Sequence, residues 1–425
     1  MKRIILILTV AFATVSIHSQ NINGRFTSSF YTFERFQEEN VSETYLRNYN
    51  SLLLNISKGQ FSLRTRLGVD TDLMNKLDND PRVRFYNLYF EARDILDMAT
   101  IKLGRQPFFS TIAGGVYDGV SLKLKHSGVA FSVFYGGNVP AYQKLELTDD
   151  WGNNYILGGK LETTAIKNTH LAAGYVSKNF KPMEYEAIRL DEGFSPITVL
   201  IQQNSNEYEF AYAEASYDLK ESFNLFSKVE YDINFSEVSK VEFSGRLDEI
   251  KDFGISLYYN YREPRVRYNS IFSVFNFGNS QEIEAGLDYK LNNEMTIVGK
   301  FGNVEYEDDN SQRLTLGFNT VYGNVSFRKT FGYAGELDAI SVYSAKTLLE
   351  GALTPSVGLS YTSYKLSEDS ETNSLVTLLG GVNVRPWKSI SFDLQAQYLN
   401  NKIYQNDFRI MFKFNHWFNT NLSLL

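Results

Sequence analysis

Apolar and polar residues alternate one by one along most of the chain. In the stretch 97–126, Ile101 and Leu103 alternate with Lys102 and Gly104. The second half repeats the pattern, with apolar Val120, Leu122 and Leu124 between polar Ser121, Lys123 and Lys125. A period of two places successive side chains on opposite faces, so the stretch predicts two strands joined as a hairpin, with one apolar and one charged face.

The same alternation recurs from residue 22 to residue 418, in about 22 segments. Segments of about ten residues are long enough for a tilted strand to cross a bilayer, whereas the strands of a soluble sandwich tend to be shorter. Compact links such as 126–128 alternate with longer, more acidic ones such as 137–152. We therefore predict an all-β fold, a closed antiparallel transmembrane β-barrel of about 22 strands. The fallback is a count of 16 to 20 strands. The span 179–206 also leaves room for an extra strand pair, because Ile197–Gln203 has the pattern of an extended segment, and this would change the count by two or more.

The first twenty residues have the composition of a secretory signal. Met1, Lys2 and Arg3 precede the apolar run Ile4–Ala13, which is too short for a membrane anchor helix. We expect a signal peptide over 1–20 and a single barrel domain over 21–425, since no linker divides the chain. The sequence contains no cysteine, which excludes a lipoprotein anchor and a disulfide framework. The expected location is the outer membrane of a Gram-negative bacterium.

The composition is aromatic but polar on average. Aromatic residues make up 15% of the chain, with 28 Tyr, 32 Phe and 3 Trp, and the mean hydropathy is −0.27. This combination argues against a helical membrane protein and suits a barrel with aromatic girdles and a wet interior. The formal charge of −7 argues against nucleic acid as a partner. The expected partners are outer-membrane lipid and solutes.

Two short motifs resemble those of a known family. Leu103-Gly104-Arg105-Gln106 and Tyr117-Asp118-Gly119-Val120 are similar to motifs of alginate-export-like and phosphate-selective porins of Gram-negative outer membranes. The resemblance implies a channel for small polar or anionic solutes, with Arg105 and Asp118 as candidate constriction residues.

The last alternating segment is similar to the C-terminal assembly signal of outer-membrane barrels. This resemblance implies the barrel-assembly machinery as a partner. Trp417 and Phe418 follow the segment, at the position expected for an aromatic girdle.

The residues that alternate with the apolar positions predict a charged lumen. Charge on the lipid face costs about 2 to 4 kcal/mol per Arg or Lys near the membrane midplane, so these side chains should point inward. The candidate lumen and selectivity residues are Arg47, Arg64, Arg66, Lys102, Lys123, Lys125, Arg409 and Lys413. Such residues either pair with acidic neighbours across strands or form a basic row that selects anions.

Arg105 and Asp118 break the alternation of their own strands, because each falls in the lipid-facing phase. Either both lie beyond the hydrocarbon edge, or a bulge turns them inward. At facing ends of one hairpin they are placed to pair, as a clamp for the 106–115 loop or as a solute contact.

Catalytic and cofactor chemistry find little support in the sequence. The four histidines are scattered, with no acidic residue at metal-ligand spacing, and no GxSxG motif occurs. We predict a non-enzymatic protein without a cofactor or a metal, with porin-like passage as its function. The alternative is a structural or partner-scaffolding barrel with a filled lumen, and a barrel enzyme is the least favoured reading.

Overall fold

The computed structural model describes most of the chain after the first nineteen residues. The described residues are 20–38, 41–76, 80–109, 114–140, 145–180, 183–190, 193–203, 208–219, 222–250, 252–263, 278–306, 309–332, 335–365, 367, 369–402 and 405–422. The predicted signal run Ile4–Ala13 lies outside them. Within the described residues no helix is long and apolar enough to span a membrane.

Twenty-four strands account for nearly all of the described chain. They are β1 (Gln20–Glu38), β2 (Val41–Lys58), β3 (Phe61–Asp72), β4 (Arg82–Ile95), β5 (Ala99–Phe109), β6 (Gly114–His126), β7 (Val129–Val139), β8 (Tyr155–Thr163), β9 (Thr169–Lys178), β10 (Met183–Leu190), β11 (Pro196–Gln203), β12 (Tyr208–Leu219), β13 (Phe223–Asp232), β14 (Glu237–Ile250), β15 (Phe253–Arg262), β16 (Ser280–Asn292), β17 (Met295–Tyr306), β18 (Asn310–Thr320), β19 (Gly323–Gly332), β20 (Glu336–Ala345), β21 (Leu353–Tyr364), β22 (Asn373–Trp387), β23 (Ile390–Asn400) and β24 (Asp407–Leu422). A 3₁₀ turn, Leu349–Gly351, precedes β21.

Twenty-two of these strands form one closed antiparallel barrel. Strands β1 to β9 pair in chain order, β9 pairs with β12, and β12 to β24 continue the order. Strand β24 pairs with β1 from Gln20↔Leu422 to Tyr31↔Met411, which closes the sheet. The prediction of a closed antiparallel barrel of about 22 strands is confirmed. The additional pair foreseen within 179–206 is the hairpin β10–β11, which pairs only with itself and lies outside the barrel sheet.

The outer face of the barrel is an apolar band. Large apolar side chains at alternate strand positions are exposed, among them Leu103, Phe131, Leu257, Phe301 and Leu394. The intervening positions hold the charged residues of the sequence, which a hydrocarbon environment would penalise. The apolar phase therefore faces lipid and the polar phase faces the lumen, and the protein is an outer-membrane barrel.

The two ends of the barrel differ in the length of their connections. Turns of a few residues, such as that between β2 and β3, alternate with longer connections such as those after β7 and β9. Strands β1 and β24 begin and end at the short-turn end. In outer-membrane barrels the short turns are periplasmic, so the longer connections lie at the extracellular end.

Trp417 departs from the predicted girdle. It pairs with Arg25 and shares the phase of Lys413 and Asn415, so it faces the lumen, where the guanidinium of Arg385 lies 5.3 Å from its ring centroid. Phe418 follows in the lipid-facing phase. The girdle prediction is therefore wrong for Trp417.

The charged inner wall, a candidate solute passage

The predicted lumen residues gather in one part of the wall. They lie on β2, β3, β5, β6 and β24, which are near neighbours around the barrel because β24 pairs with β1. We call strands β24 and β1 to β6 the basic sector. Each of the eight predicted residues shares its strand phase with polar neighbours, so each side chain points inward.

Half of the predicted residues are paired with carboxylates. Arg47 Nε lies 3.8 Å from Asp70 Oδ1, and Arg64 Nε lies 3.1 Å from Glu91 Oε2. The other two pairs are Lys123 with Glu162 at 2.7 Å and Arg409 with Asp407 at 2.5 Å. For these four residues the paired-wall interpretation describes the geometry.

The remaining predicted residues, Arg66, Lys102, Lys125 and Lys413, form no salt bridge among the described residues. Arg66 and Lys102 instead lie 5.0 Å and 5.4 Å from the ring centroids of Tyr86 and Tyr89. A cation over an aromatic face keeps its charge uncompensated.

Two further unpaired cations, Arg25 and Arg84, were not predicted. Arg25 lies in the lumen phase of β1, between the lipid-facing positions Gly24 and Phe26. The alternation of Arg25 with Phe26 is the sequence signal by which its lumen-facing position could have been found. On β4 a register shift lies between Arg84 and Asn87, because the adjacent residues Arg66 and Leu67 of β3 pair with Asn87 and Phe85. Counting every second residue along β4 therefore does not give the face of Arg84. We call the six residues the open cations: Arg25, Arg66, Arg84, Lys102, Lys125 and Lys413.

Two open cations lie at the same level of the wall. The register joins Arg25 to Leu53 and Leu53 to Arg66, and Arg66 to Asn87, across β1 to β4. Adjacent strands are about 4.8 Å apart, so the Cα atoms of Arg25 and Arg66 are roughly 10 Å apart. The Oδ1 atom of Asn87 is buried and has no hydrogen-bond partner within the described part of the chain. The row thus joins two cations, an exposed leucine and an amide.

The wall from β8 to β18 has a different character. Lys160 lies between Glu162 and Glu214, and Lys228 lies 2.5 Å from Glu230. Lys228 and Glu230 are 1% and 0% exposed. Further pairs join Arg246 to Asp288, Lys300 to Glu284, and Arg313 to Glu282 and Glu284. The five cations of these pairs contact six carboxylates, so both signs of charge are present with a small excess of carboxylates, and part of this wall does not contact water.

Arg105 and Asp118 do not join the lumen residues. They lie opposite each other in the lipid-facing phase of β5 and β6 and are 3% and 2% exposed. Arg105 donates from Nε and Nη2 to the two carboxylate oxygens of Asp118, at 2.7 Å and 2.8 Å. The same Nη2 donates to the Glu146 carbonyl at 2.6 Å, and the Thr148 amide donates to Asp118 at 2.8 Å. The pair therefore contacts the β7–β8 connection and lies on the lipid-facing side of the wall, not at a lumen constriction. Residues 110–113 of the predicted 106–115 loop lie outside the described residues.

No metal-ligand cluster of three or more His, Asp or Glu side chains occurs in the part of the chain that the structure describes.

No protein-family model matches the chain, and no curated protein matches it. Among solved structures, the P pilus usher (PapC) translocation pore is 9% identical to this chain, with a TM-score of 0.48. The match covers 95% of this chain and 100% of the PapC chain. OccAB3 of Acinetobacter baumannii is 11% identical, with a TM-score of 0.44 and coverage of 94% and 99%. OpdK of Pseudomonas aeruginosa with vanillate is 12% identical, with a TM-score of 0.43 and coverage of 95% and 99%.

Proposed function

We propose that the barrel is a porin-like channel for passive passage of small polar solutes, with a preference for anions. The open cations carry the proposal, because six positive side chains in one sector face the lumen and form no salt bridge with another described residue. Uncompensated charge along a wet wall raises the local concentration of counter-ions. The cations Lys160, Lys228, Arg246 and Lys300 of the wall from β8 to β18, in contrast, contact carboxylates.

The width of the barrel supports a passage. With strands about 4.8 Å apart and tilted by about 35 to 45°, a circular barrel of 22 strands has a backbone diameter of roughly 40 to 48 Å. Side chains from opposite walls do not fill such a space. Among the described strands, only β10 and β11 lie outside the 22-stranded barrel sheet.

The reversal potential in a salt gradient across a planar bilayer tests the proposal. The test variant carries Arg66→Glu and Lys102→Glu, and the control carries Lys167→Glu and Lys388→Glu in periplasmic turns. Both variants change the net charge equally. We expect a shift towards cations for the test variant only. An equal shift in both variants, or none in either, contradicts the anion preference, and an absence of current steps at any salt contradicts the channel.

Screening provides a second readout of the same proposal. The Debye length falls from about 10 Å at 0.1 M salt to about 3 Å at 1 M. The anion preference of the unmodified protein should therefore weaken between these concentrations. A preference that is independent of salt would indicate size or direct ligation as its origin.

One observation favours the scaffolding alternative. Phe210, Lys228 and Glu230 face inward and yet are almost fully buried. A wall that is covered in this way over most of its area would support partner proteins without conducting. The conductance measurement separates the two functions, since a covered lumen gives no current steps.

The remaining features of the proposal concern export and assembly. We propose that residues 1–20 are removed as a signal peptide, that 21–425 form one barrel domain, and that the barrel-assembly machinery inserts it. N-terminal sequencing of protein isolated from outer membranes tests the first point, and a start before residue 15 contradicts it. No catalytic role and no cofactor enter the proposed function.

A further inference from the structure

The strand ends around Arg105 and Asp118 are shaped by a row of glycines. Gly104, Gly119 and Gly136 lie side by side on β5, β6 and β7. A Cβ on Gly136 would lie 2.3 Å from the Asp118 carbonyl oxygen, and one on Gly119 would lie 2.1 Å from the Tyr135 carbonyl oxygen. The backbones therefore approach too closely for any side chain. Above this row the lipid-facing positions are Arg105, Asp118 and Gly137 in place of apolar residues.

The polar pair lies within the depth of the membrane. Arg105 is the fourth lipid-facing residue of β5, after Ala99, Ile101 and Leu103. Six residues of a strand tilted by about 40° rise roughly 15 Å along the membrane normal, and the apolar band of a barrel is about 25 Å tall. Tyr135, the lipid-facing residue of β7 that precedes Gly137, is an aromatic residue of the interfacial kind. An uncovered ion pair at this level would meet lipid.

The segment Leu145–Trp151, which we call the strap, covers the pair from outside. Its backbone contacts Arg105 and Asp118 through Glu146 and Thr148. A Cβ on Gly137 would lie 2.1 Å from the Thr148 hydroxyl and 2.6 Å from the Trp151 ring, so the strap rests directly on the glycine surface. The contact needs the absence of a side chain at Gly137.

A second set of contacts holds the end of the strap. The Tyr135 hydroxyl donates to the Trp151 carbonyl at 3.2 Å, and the two rings meet edge to face at 5.8 Å. The Trp151 indole N–H donates to the Thr148 carbonyl at 3.0 Å. The hydroxyl of Tyr135 and the indole of Trp151 thus bind backbone groups of the strap, whereas the carboxylates of Glu146, Asp149 and Asp150 are exposed.

Leu145 and Leu147 have the opposite orientation. They are 58% and 63% exposed, on a segment that lies against the lipid-facing wall. We propose that the strap is a lipid-binding surface, in which Leu145 and Leu147 contact acyl chains at the outer edge of the bilayer while the Arg105–Asp118 pair anchors the backbone. The depth of the pair and the two exposed leucines determine the partner, because water is not the solvent at this level of the wall.

Single-cysteine labelling tests the strap directly, because the chain contains no native cysteine. Leu147→Cys carries an environment-sensitive fluorophore in full-length protein, reconstituted in phosphatidylcholine vesicles with lipid bearing a doxyl group at acyl carbon 5. Leu103→Cys is the lipid-facing control, and Ser367→Cys in an extracellular connection is the aqueous control. Quenching by the doxyl lipid and by aqueous iodide is measured for each.

We expect the probe at 147 to match the lipid-facing control, with several-fold stronger doxyl quenching and several-fold weaker iodide quenching than the probe at 367. Iodide quenching equal to that at 367 overturns the proposal. Disulfide-linked dimers of the unlabelled Leu147→Cys protein, together with loss of doxyl quenching in the labelled protein, also overturn it, since the surface then joins two copies of the chain.

The anchor is tested by adding Asp118→Asn to the labelled protein. Iodide quenching at 147 should rise several-fold while conductance is unchanged, because the strap lies outside the lumen. If that variant does not fold, Thr148→Pro removes the amide donor to Asp118 together with the Thr148 hydroxyl, and it should give the same rise. Unchanged quenching in a folded variant overturns the anchoring role, and neither result depends on whether the barrel conducts anions.

Discussion

Removing Asp118 should reveal how much the covered pair contributes to stability. The substitution Asp118→Ala removes the carboxylate that accepts from Nε and Nη2 of the buried Arg105, and it leaves the Thr148 amide without this acceptor. Breaking a buried ion pair by removing one partner costs about 3 to 5 kcal/mol, because the remaining charge is uncompensated. We expect a loss of this size in the free energy of unfolding.

The chain provides a matched control on β19 and β20. Lys329 and Asp338 form a pair of 2.8 Å in which both side chains are 41% exposed. An exposed pair contributes only about 0 to 1 kcal/mol, so Asp338→Ala should have a small effect. The two variants remove the same chemical group in different surroundings.

Urea unfolding of the reconstituted barrel, followed by tryptophan fluorescence, measures both losses. The double variant Arg105→Met, Asp118→Leu should recover most of the stability, since an apolar replacement on the lipid side leaves no unpaired charge. Equal losses for Asp118→Ala and Asp338→Ala would refute the reasoning. So would a double variant that is no more stable than Asp118→Ala, because the cost would then not come from the remaining Arg105.

Three further predictions follow from the wall. Gly136→Ala should destabilise the barrel in urea unfolding, since its Cβ would lie 2.3 Å from a backbone oxygen, whereas Gly380→Ala has no atom within 4 Å and should be neutral; equal losses would contradict the close approach. Glu162→Gln should increase anion preference in the reversal-potential assay, because it leaves Lys123 and Lys160 without this partner; an unchanged potential would contradict a role for wall charge. Leu257→Arg should cost about 2 to 4 kcal/mol in urea unfolding; a neutral result would contradict its lipid-facing assignment.

The barrel fold could be predicted from the sequence because the alternation of apolar and polar residues recurs in strand after strand. Alternation along each strand sets the two faces, and each strand repeats the same constraint, so local errors do not change the architecture. At Leu52, Leu53 and Leu54 the alternation disappears, and only pairing with Arg25 and Arg66 shows that Leu53 faces the lumen. Face assignment in such runs depends on register, which is a property of two strands.

The site was less predictable because pairing is three-dimensional. The sequence identifies Arg64 and Arg66 as equivalent neighbours, yet Arg64 has Glu91 within 3.1 Å and Arg66 lies over Tyr86. Likewise, Arg105 and Asp118 keep the lipid-facing phase of their strands, whereas the sequence left open a bulge that would turn them inward. Nothing in the spacing indicated that a segment from a different connection, Leu145–Trp151, covers them.

The pairing of β1 with β24 has a consequence for biogenesis. The side chains of Asn21 and Asn419 are hydrogen-bonded although 398 positions separate them in the chain. Closure of the sheet therefore waits for the last strand to be synthesised and delivered, and until then β1 and the growing end both present unpaired backbone edges. A translocated chain that lacks β24 would be an open, aggregation-prone sheet, so the cell has to protect two distant edges for the whole interval between export and insertion.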